Sequence, residues 1–302
     1  MNTTQNIKFD KFMDRALPVI GIIVMCASLG VLFTLVLDVL MDGLARINIK
    51  FLTSYPSRFP DQAGILSAWV GTVWIMVLTG LFIFPIGVAS AVYLEEYSKP
   101  GFMKDLLEIN IANLAGVPSI IYGLLGLEIF VYFMKLDRSV LAGALTLALV
   151  VLPIVIVSTR EALKAVPLSL REASLALGAD KLQTIFLQVV PAAMPGILSG
   201  VIIAMSRAIG ETAPLVTMGA LTYIAFLPQF PITGEFPFVT LAGLKDYFTV
   251  MPIQIFNWVS RPQKGFATSA AAGIIVLLGL ALMINILAIY LRAKFEKHSR
   301  RQ

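Results

Sequence analysis

Six stretches of this chain are each apolar for about as long as a helix needs to cross a lipid bilayer, roughly 20 residues. They cover residues 17–39, 66–94, 109–134, 140–158, 196–223 and 268–291. Charged residues make up 14% of the chain and hydrophobic ones 58%, whereas soluble domains are about a quarter charged. The expectation is an all-α, polytopic membrane protein with six transmembrane helices. The first stretch is longer than the roughly 7–15-residue core of a secretory signal, with no small-residue cleavage site, and is read as a retained helix.

The connections set the orientation. With both termini on the cytoplasmic side, the inner segments hold 14 basic residues and the outer segments 8, which is the expected asymmetry for a multi-pass protein. The basic residues border apolar stretches, so they speak for a lipid bilayer and against nucleic acid as a partner. The lone Cys26 lies in an apolar run and the lone His298 in the tail. Neither a metal site nor histidine chemistry is expected in the body. Residues 1–63 are read as an N-terminal tail, first helix and outer loop, 64–292 as the main membrane domain, and 293–302 as a basic tail.

One basic residue belongs to no connection. It is Arg207, in the segment SRAIGETAP at 206–214. On a helix running from Gly196 to Thr217, the small and polar residues Gly196, Ser199, Gly200, Ser206, Arg207, Gly210, Glu211, Pro214 and Thr217 share one face. Arg207 then stands about 16 Å along that helix, near the bilayer midplane. An arginine there costs roughly 2.5–3.5 kcal/mol on insertion scales and needs protein, water or a partner around it.

Two readings stay open for Arg207. One is a structural pair with Glu211, in the weaker Arg-before-Glu order; apolar packing could replace such a pair at little loss. The other is a polar passage in which Arg207 meets an anionic solute, an attraction of about 4 kcal/mol at about 4 Å and an effective dielectric near 20. In that case Glu211 tempers the attraction and accepts a proton-bearing oxygen, which favours phosphate over sulfate. Pro85, Pro118, Pro153 and Pro214, and the glycines 116, 123 and 126, are read as helix packing.

The inner connection at 160–191 is too polar to span and too regularly patterned for a loose loop. Ser169 to Glu172 fits a capping box, Leu170, Ala173 and Leu177 mark one helical face, and Gly178 ends the helix. Asp180 to Gln183 starts a second helix, stopped by Pro191. The outer connection at 223–267 carries LPQFP, GEFPF and PIQIFNWVSRP. There Trp258 and Arg261 are candidates for a ledge on which a solute-binding protein docks, such residues being common in binding hot spots.

EASLALG at 172–178, followed by VVP at 189–191, resembles the EAA loop of permeases in binding-protein-dependent ABC importers. Glu172, Ala173, Gly178 and Pro191 match that pattern, with Ser174 in place of the second alanine, Gln188 of the isoleucine and Val190 of the leucine. AGILSAWVGTVWIM, FPIGVASAVYLEEY, LAGVPSIIYGLLGL, SRAIGETAPLVTMGA and FTVMPIQIFNWVSRP, in this order from about 64 to 292, narrow the resemblance to the PstA-type permeases of phosphate ABC importers. It implies a type I importer permease (MetI-like) architecture in a bacterial inner membrane. Glu172, Ala173, Ser174 and Gly178 would couple to the ATPase, and Arg207, with Glu211 and Ser206, would line the phosphate route.

The resemblance also implies partners: a PstC-like second permease, an ATP-binding subunit in two copies, and a phosphate-binding protein. No G-x-x-x-x-G-K-[ST] motif occurs, so no cofactor is expected in this chain; ATP and Mg would be bound by the partner ATPase. Three rivals remain: a permease of the same design for sulfate or molybdate, an ATP-independent channel, and an intramembrane enzyme. The last has little to work with, Glu128 being the one other acid that reads as buried apart from Asp38 near a helix end.

Overall fold

The computed structural model describes residues 3–229 and 240–299. Among these there is no sheet, only an isolated bridge between Ser139 and Tyr247. The GEFPF stretch at 234–238 and the basic pair Arg300 and Arg301 lie outside the described residues.

Helix α1 (Thr3–Gly43) takes up the first apolar stretch. The short α2 (Ile49–Thr53), capped by Asn48 Oδ1 accepting the Phe51 N–H at 2.7 Å, leads to α3 (Leu66–Val92), which ends in a π-helical turn at Tyr93–Tyr97. Then come α4 (Phe102–Leu114) and α5 (Ser119–Gly126), the latter prolonged by π-helical residues Leu127–Phe133. Helix α6 (Val140–Lys164) starts at the Ser139 cap. Helices α7 (Leu168–Ala176) and α8 (Lys181–Thr184) form a hairpin, and α8 runs through a π-helical turn at Ile185–Val189 into α9 (Val190–Ala208). The chain closes with α10 (Ala213–Met218), α11 (Met251–Val259) and α12 (Gly265–Ser299).

Five of the helices are long and apolar enough to cross a bilayer: Ala16–Arg46, Leu66–Tyr97, Val140–Lys164, Lys181–Ala208 and Gly265–Lys294. The sixth expected span, 109–134, is instead a broken element. Its two parts, Phe102–Leu114 and Ser119–Phe133, meet at 102°. Pro118 explains the corner: it brings no N–H and drives the residue before it, Val117, out of the helical region. The Tyr122 hydroxyl donates to Leu114 O at 2.7 Å, a second bond on a carbonyl that also accepts the Val117 N–H at 3.1 Å, and so ties α5 to the end of α4 across the elbow.

The fifth span is shifted from its expected place at 196–223. It begins in the inner hairpin at Lys181 and ends at Ala208. Pro191 does not stop it; the proline sits in the first turn of α9, after the π-helical turn has already loosened the ladder. The break comes later, because Pro214 in the first turn of α10 would clash with the Gly210 carbonyl of a continuous helix.

The centre is the pair α3 and α6, with Ile75, Ile83, Leu147 and Val151 buried between elements. Helix α9 lies against α6 with Gly196 at Ala162 and Gly200 at Ser158. The small face read as part of a passage is thus, over these two turns, the contact that lets α9 approach α6. Gly43 at the end of α1 meets Ala271 and Ala272 near the start of α12, so these two helices run antiparallel. Both described chain ends lie at the same end of the bundle as the α7–α8 hairpin.

Candidate functional site

The depth of Arg207 follows from its neighbours. The contacts of Gly196 with Ala162 and of Gly200 with Ser158 put residue 207 level with Val151, close to the middle of α6. On α3 the neighbouring Met205 touches Gly80, again near mid-helix. Arg207 therefore stands at mid-depth, although it closes its own helix rather than sitting halfway along it.

Arg207 Nε donates to Glu211 Oε1 at 3.1 Å across the break between α9 and α10. The pair with Glu211 therefore forms, but not within one continuous helix, because α9 ends at Ala208 and Glu211 lies in the break before α10. The arginine side chain nevertheless remains 44% exposed, against 17% for Glu211. Among the described residues, no hydrogen bond engages the terminal nitrogens Nη1 and Nη2. A cation at mid-depth is thus held from one side and open on the other. Local backbone serves this geometry: Gly210 N–H and Glu211 N–H bond back to Arg207 O and Ala208 O in a tight final turn, which brings the carboxylate under the guanidinium.

Ser206 points elsewhere. Its hydroxyl lies 2.6 Å from Asn285 Oδ1 on α12 and 2.7 Å from Ile202 O, so the structure gives it a role in joining α9 to α12. The other wall near Arg207 comes from α5: Gly123 lies so close to Pro214 and Thr217 of α10 that any side chain there would overlap them. Glu128, read from the sequence as buried, is exposed.

The inner hairpin forms as two helices with a glycine corner. Gly178, at φ +89°, takes the left-handed conformation that ends α7. Its N–H bonds Leu175 O while the Ala179 N–H bonds Ser174 O, the Schellman arrangement. The expected capping box at Ser169 is absent, because Pro167 starts α7 two residues earlier and no side chain caps it. The box occurs instead at α8, where Asp180 and Gln183 cap each other's N–H groups at 2.7 and 3.0 Å. Glu172, Ala173 and Gly178 are exposed. Ser174 Oγ lies 3.0 Å from Thr184 Oγ1 and ties the two short helices together. Leu175 and Leu182 are exposed, and Leu177 at the tip is 90% exposed. A surface-lying hairpin that offers three leucines and a glutamate is shaped to be covered.

Of the two residues expected to form a docking ledge, Trp258 is withdrawn from the surface. Trp258 is 1% exposed; it packs against Phe51 with ring centroids 5.9 Å apart, and its indole nitrogen lies 3.0 Å from the Gln254 side-chain amide, whose oxygen is the end able to accept that N–H. It belongs to a core with Ile65, Met251 and Phe266. Arg261 is half-buried, stacked 4.5 Å over Phe266 and bonded to Asn257. An indole in an outer connection reads as exposed only until α2, α11 and α12 close over it.

Sequence reasoning missed a cluster at the hairpin end. Arg171 bonds Glu96 Oε1 at 2.8 Å, Val166 O at 2.7 Å and Leu163 O at 2.9 Å, and Arg160 lies between Glu95 and Glu108. Both arginines count toward orientation in the sequence, and that count carries no information on pairing. The adjacent acids of YLEEY were the available signal.

Residues 83–297 match the family described as "Binding-protein-dependent transport system inner membrane component". The chain is 29% identical to the "Probable ABC transporter permease protein YqgI" of Bacillus subtilis, over 92% of this chain and 95% of that one. It is 30% identical to the "Phosphate transport system permease protein PstA" of Haemophilus influenzae, over 95% of this chain and 96% of that one. Among solved structures, it resembles a chain of the inward-facing MetNI methionine ABC transporter, with a TM-score of 0.55 at 16% identity, over 74% of this chain and 94% of that one.

Proposed function

The chain belongs to the family of binding-protein-dependent transport system inner membrane components, and from that premise we propose that it forms half of the translocation pathway of an ATP-driven importer of inorganic phosphate. It is a multi-pass membrane permease with the fold of MetI-type ABC importers. The observation that carries the phosphate reading is Arg207: a cation at mid-depth, half open, with one carboxylate 3.1 Å away. The similarity to PstA of Haemophilus influenzae along nearly the whole chain supports it.

Arg207 offsets part of the hydration an anion leaves behind, and its exposed terminal nitrogens are the fork that fits a phosphoryl oxygen pair. Glu211 limits the depth of the attraction so that the anion is not trapped, and it can accept from a protonated phosphate oxygen. The exposed Glu172, Ala173 and Gly178, with Ser174 bracing the corner, make the docking surface for a separate ATPase, which supplies ATP and Mg. A related second permease faces Arg207, and a phosphate-binding protein delivers from the opposite side. Closure of two ATPase subunits draws the coupling hairpins together, opens the pathway outward, and admits phosphate that leaves inward past Arg207. The termini and hairpin are then cytoplasmic.

Uptake of labelled phosphate and labelled sulfate by cells carrying or lacking this gene tests the reading. Loss of the gene is expected to lower high-affinity phosphate uptake and leave sulfate uptake unchanged. The reverse pattern would reassign the solute.

A further inference from the structure

Arg160 is the one charged residue that is buried among the residues whose side chains are described. It sits on α6, four residues before the end of the helix, facing acids from two other elements. Its Nη2 bonds Glu108 Oε1 of α4 at 2.5 Å, while its Nε stands 3.5 Å from Glu95 Oε2 of the π-helical turn. That second approach is not a hydrogen bond: Arg160 Nε and Glu95 Oε2 are both buried without a hydrogen-bonding partner. A guanidinium in this position is bonded to one carboxylate, whose Oε1 also lies 3.9 Å from Lys104 Nζ, and leaves the other within reach, which is the arrangement of a group that can redistribute its bonds when one neighbour moves.

The neighbours lead in two directions. Glu96, next to Glu95, holds Arg171 of the α7–α8 hairpin at 2.8 Å, and Arg171 also donates to Leu163 O in the last turn of α6 and to Val166 O just beyond it. Displacement of α7 therefore pulls on the turn that presents Glu95. In the other direction, Glu108 belongs to α4, whose elbow with α5 is fixed by the Tyr122 bond to Leu114 O. Helix α5 packs through Gly123 onto Pro214 and Thr217 of α10, the element that follows Glu211. Ion pairs, an elbow and one close helix contact thus form an unbroken chain from the hairpin to the mid-depth cation.

We propose that Arg160 is a positioning residue for transport: by holding α4 to the Glu95–Glu96 turn it delivers movement of the coupling hairpin to α5 and α10, and so to the Arg207–Glu211 pair. The inference rests on the reading of the chain as an ATP-driven permease. In it Arg160 touches no solute and no nucleotide; it makes α4 follow α7.

The test uses the assembled importer, with both permeases, the ATPase and the binding protein, in proteoliposomes. Glu108→Gln keeps the shape of the side chain and removes its charge. Stimulated ATP hydrolysis is expected to stay within about twofold of the parent while phosphate uptake per ATP falls about tenfold, the order expected for one charge-assisted hydrogen bond. Glu108→Asp is expected to recover part of the loss. A second readout does not depend on the solute: spin labels at Leu81→Cys on α3 and Leu124→Cys on α5, in a Cys26→Ser background, report their separation with and without a trapped ATP analogue. The separation is expected to change in the parent and to stay fixed in Glu108→Gln. An unchanged uptake-to-hydrolysis ratio with an undiminished label shift in Glu108→Gln would overturn the inference, as would hydrolysis and uptake falling by the same factor. If the parent hydrolyses ATP and the label shift is lost only in Glu108→Gln, yet no phosphate accumulates, the relay stands and the phosphate reading falls.

Discussion

Arg207 and Arg160 are both arginines on largely apolar helices, and each lies beside glutamate, yet the molecule treats them in opposite ways. Arg160 is enclosed, its side chain 9% exposed, with two acids from separate elements around it. Arg207 has one acid, on its own segment, and is 44% exposed. A buried guanidinium must be neutralised where it stands, and its partners bind the elements that carry them. An open guanidinium at mid-depth keeps capacity for something that arrives. The contrast separates an enclosed cation, whose desolvation is offset by acids from two elements, from a half-open one, which on the proposed reading meets a solute.

The comparison is broken most directly at Arg207. Arg207→Gln is expected to reduce phosphate uptake by at least about a hundredfold, since the attraction removed is about 4 kcal/mol and every 1.4 kcal/mol is about a factor of ten. Assembly, followed by copurification of the subunits, is expected to be unchanged; a variant that no longer assembles would place Arg207 with the structural cations. Arg160→Met tests the other side. Leaving Glu95 and Glu108 without their cation is expected to destabilise the chain by about 3–5 kcal/mol, read as a lower thermal unfolding temperature of the complex. Survival of normal stability would show that the enclosed pair is dispensable.

Smaller effects sharpen the picture. Gly178→Val forces a β-branched residue into the left-handed region, costing roughly 1–2 kcal/mol locally. ATP hydrolysis measured against uptake should then be uncoupled, while phosphate recognition at Arg207 is retained. Glu211→Gln removes the one carboxylate from the open cation. Sulfate is expected to gain on phosphate by a few-fold in a competition uptake assay, the scale of one hydrogen bond, and an unaltered ratio would remove Glu211 from selectivity.

Some of this was legible in the residues and some was not. The hairpin at 160–191 could be read because capping, glycine C-termini and apolar spacing act over a few residues; even there the capping box moved from Ser169 to Asp180, since Pro167 set the start of α7. Arg207 was legible as a cation without a place among the connections. The broken span at 102–133 was not, because a hydropathy window averages across Pro118 and reports apolar length whatever the direction of the chain. Trp258 misled for a related reason: Phe51 and Ile65, which share its core, come from a segment far from it in sequence.

By itself, then, the order of amino acids determined a helical membrane chain, its apolar segments, its α7–α8 hairpin and the cation at mid-depth, all of which depend on local composition and short-range periodicity. Tertiary structure alone decided that Ser206 joins Asn285, that Trp258 lies in a core with Phe51, and that Arg160 shares two acids. Each of these is a contact between segments distant in sequence, and the energy of a buried charge or ring is set by what closes around it rather than by what precedes it in the chain.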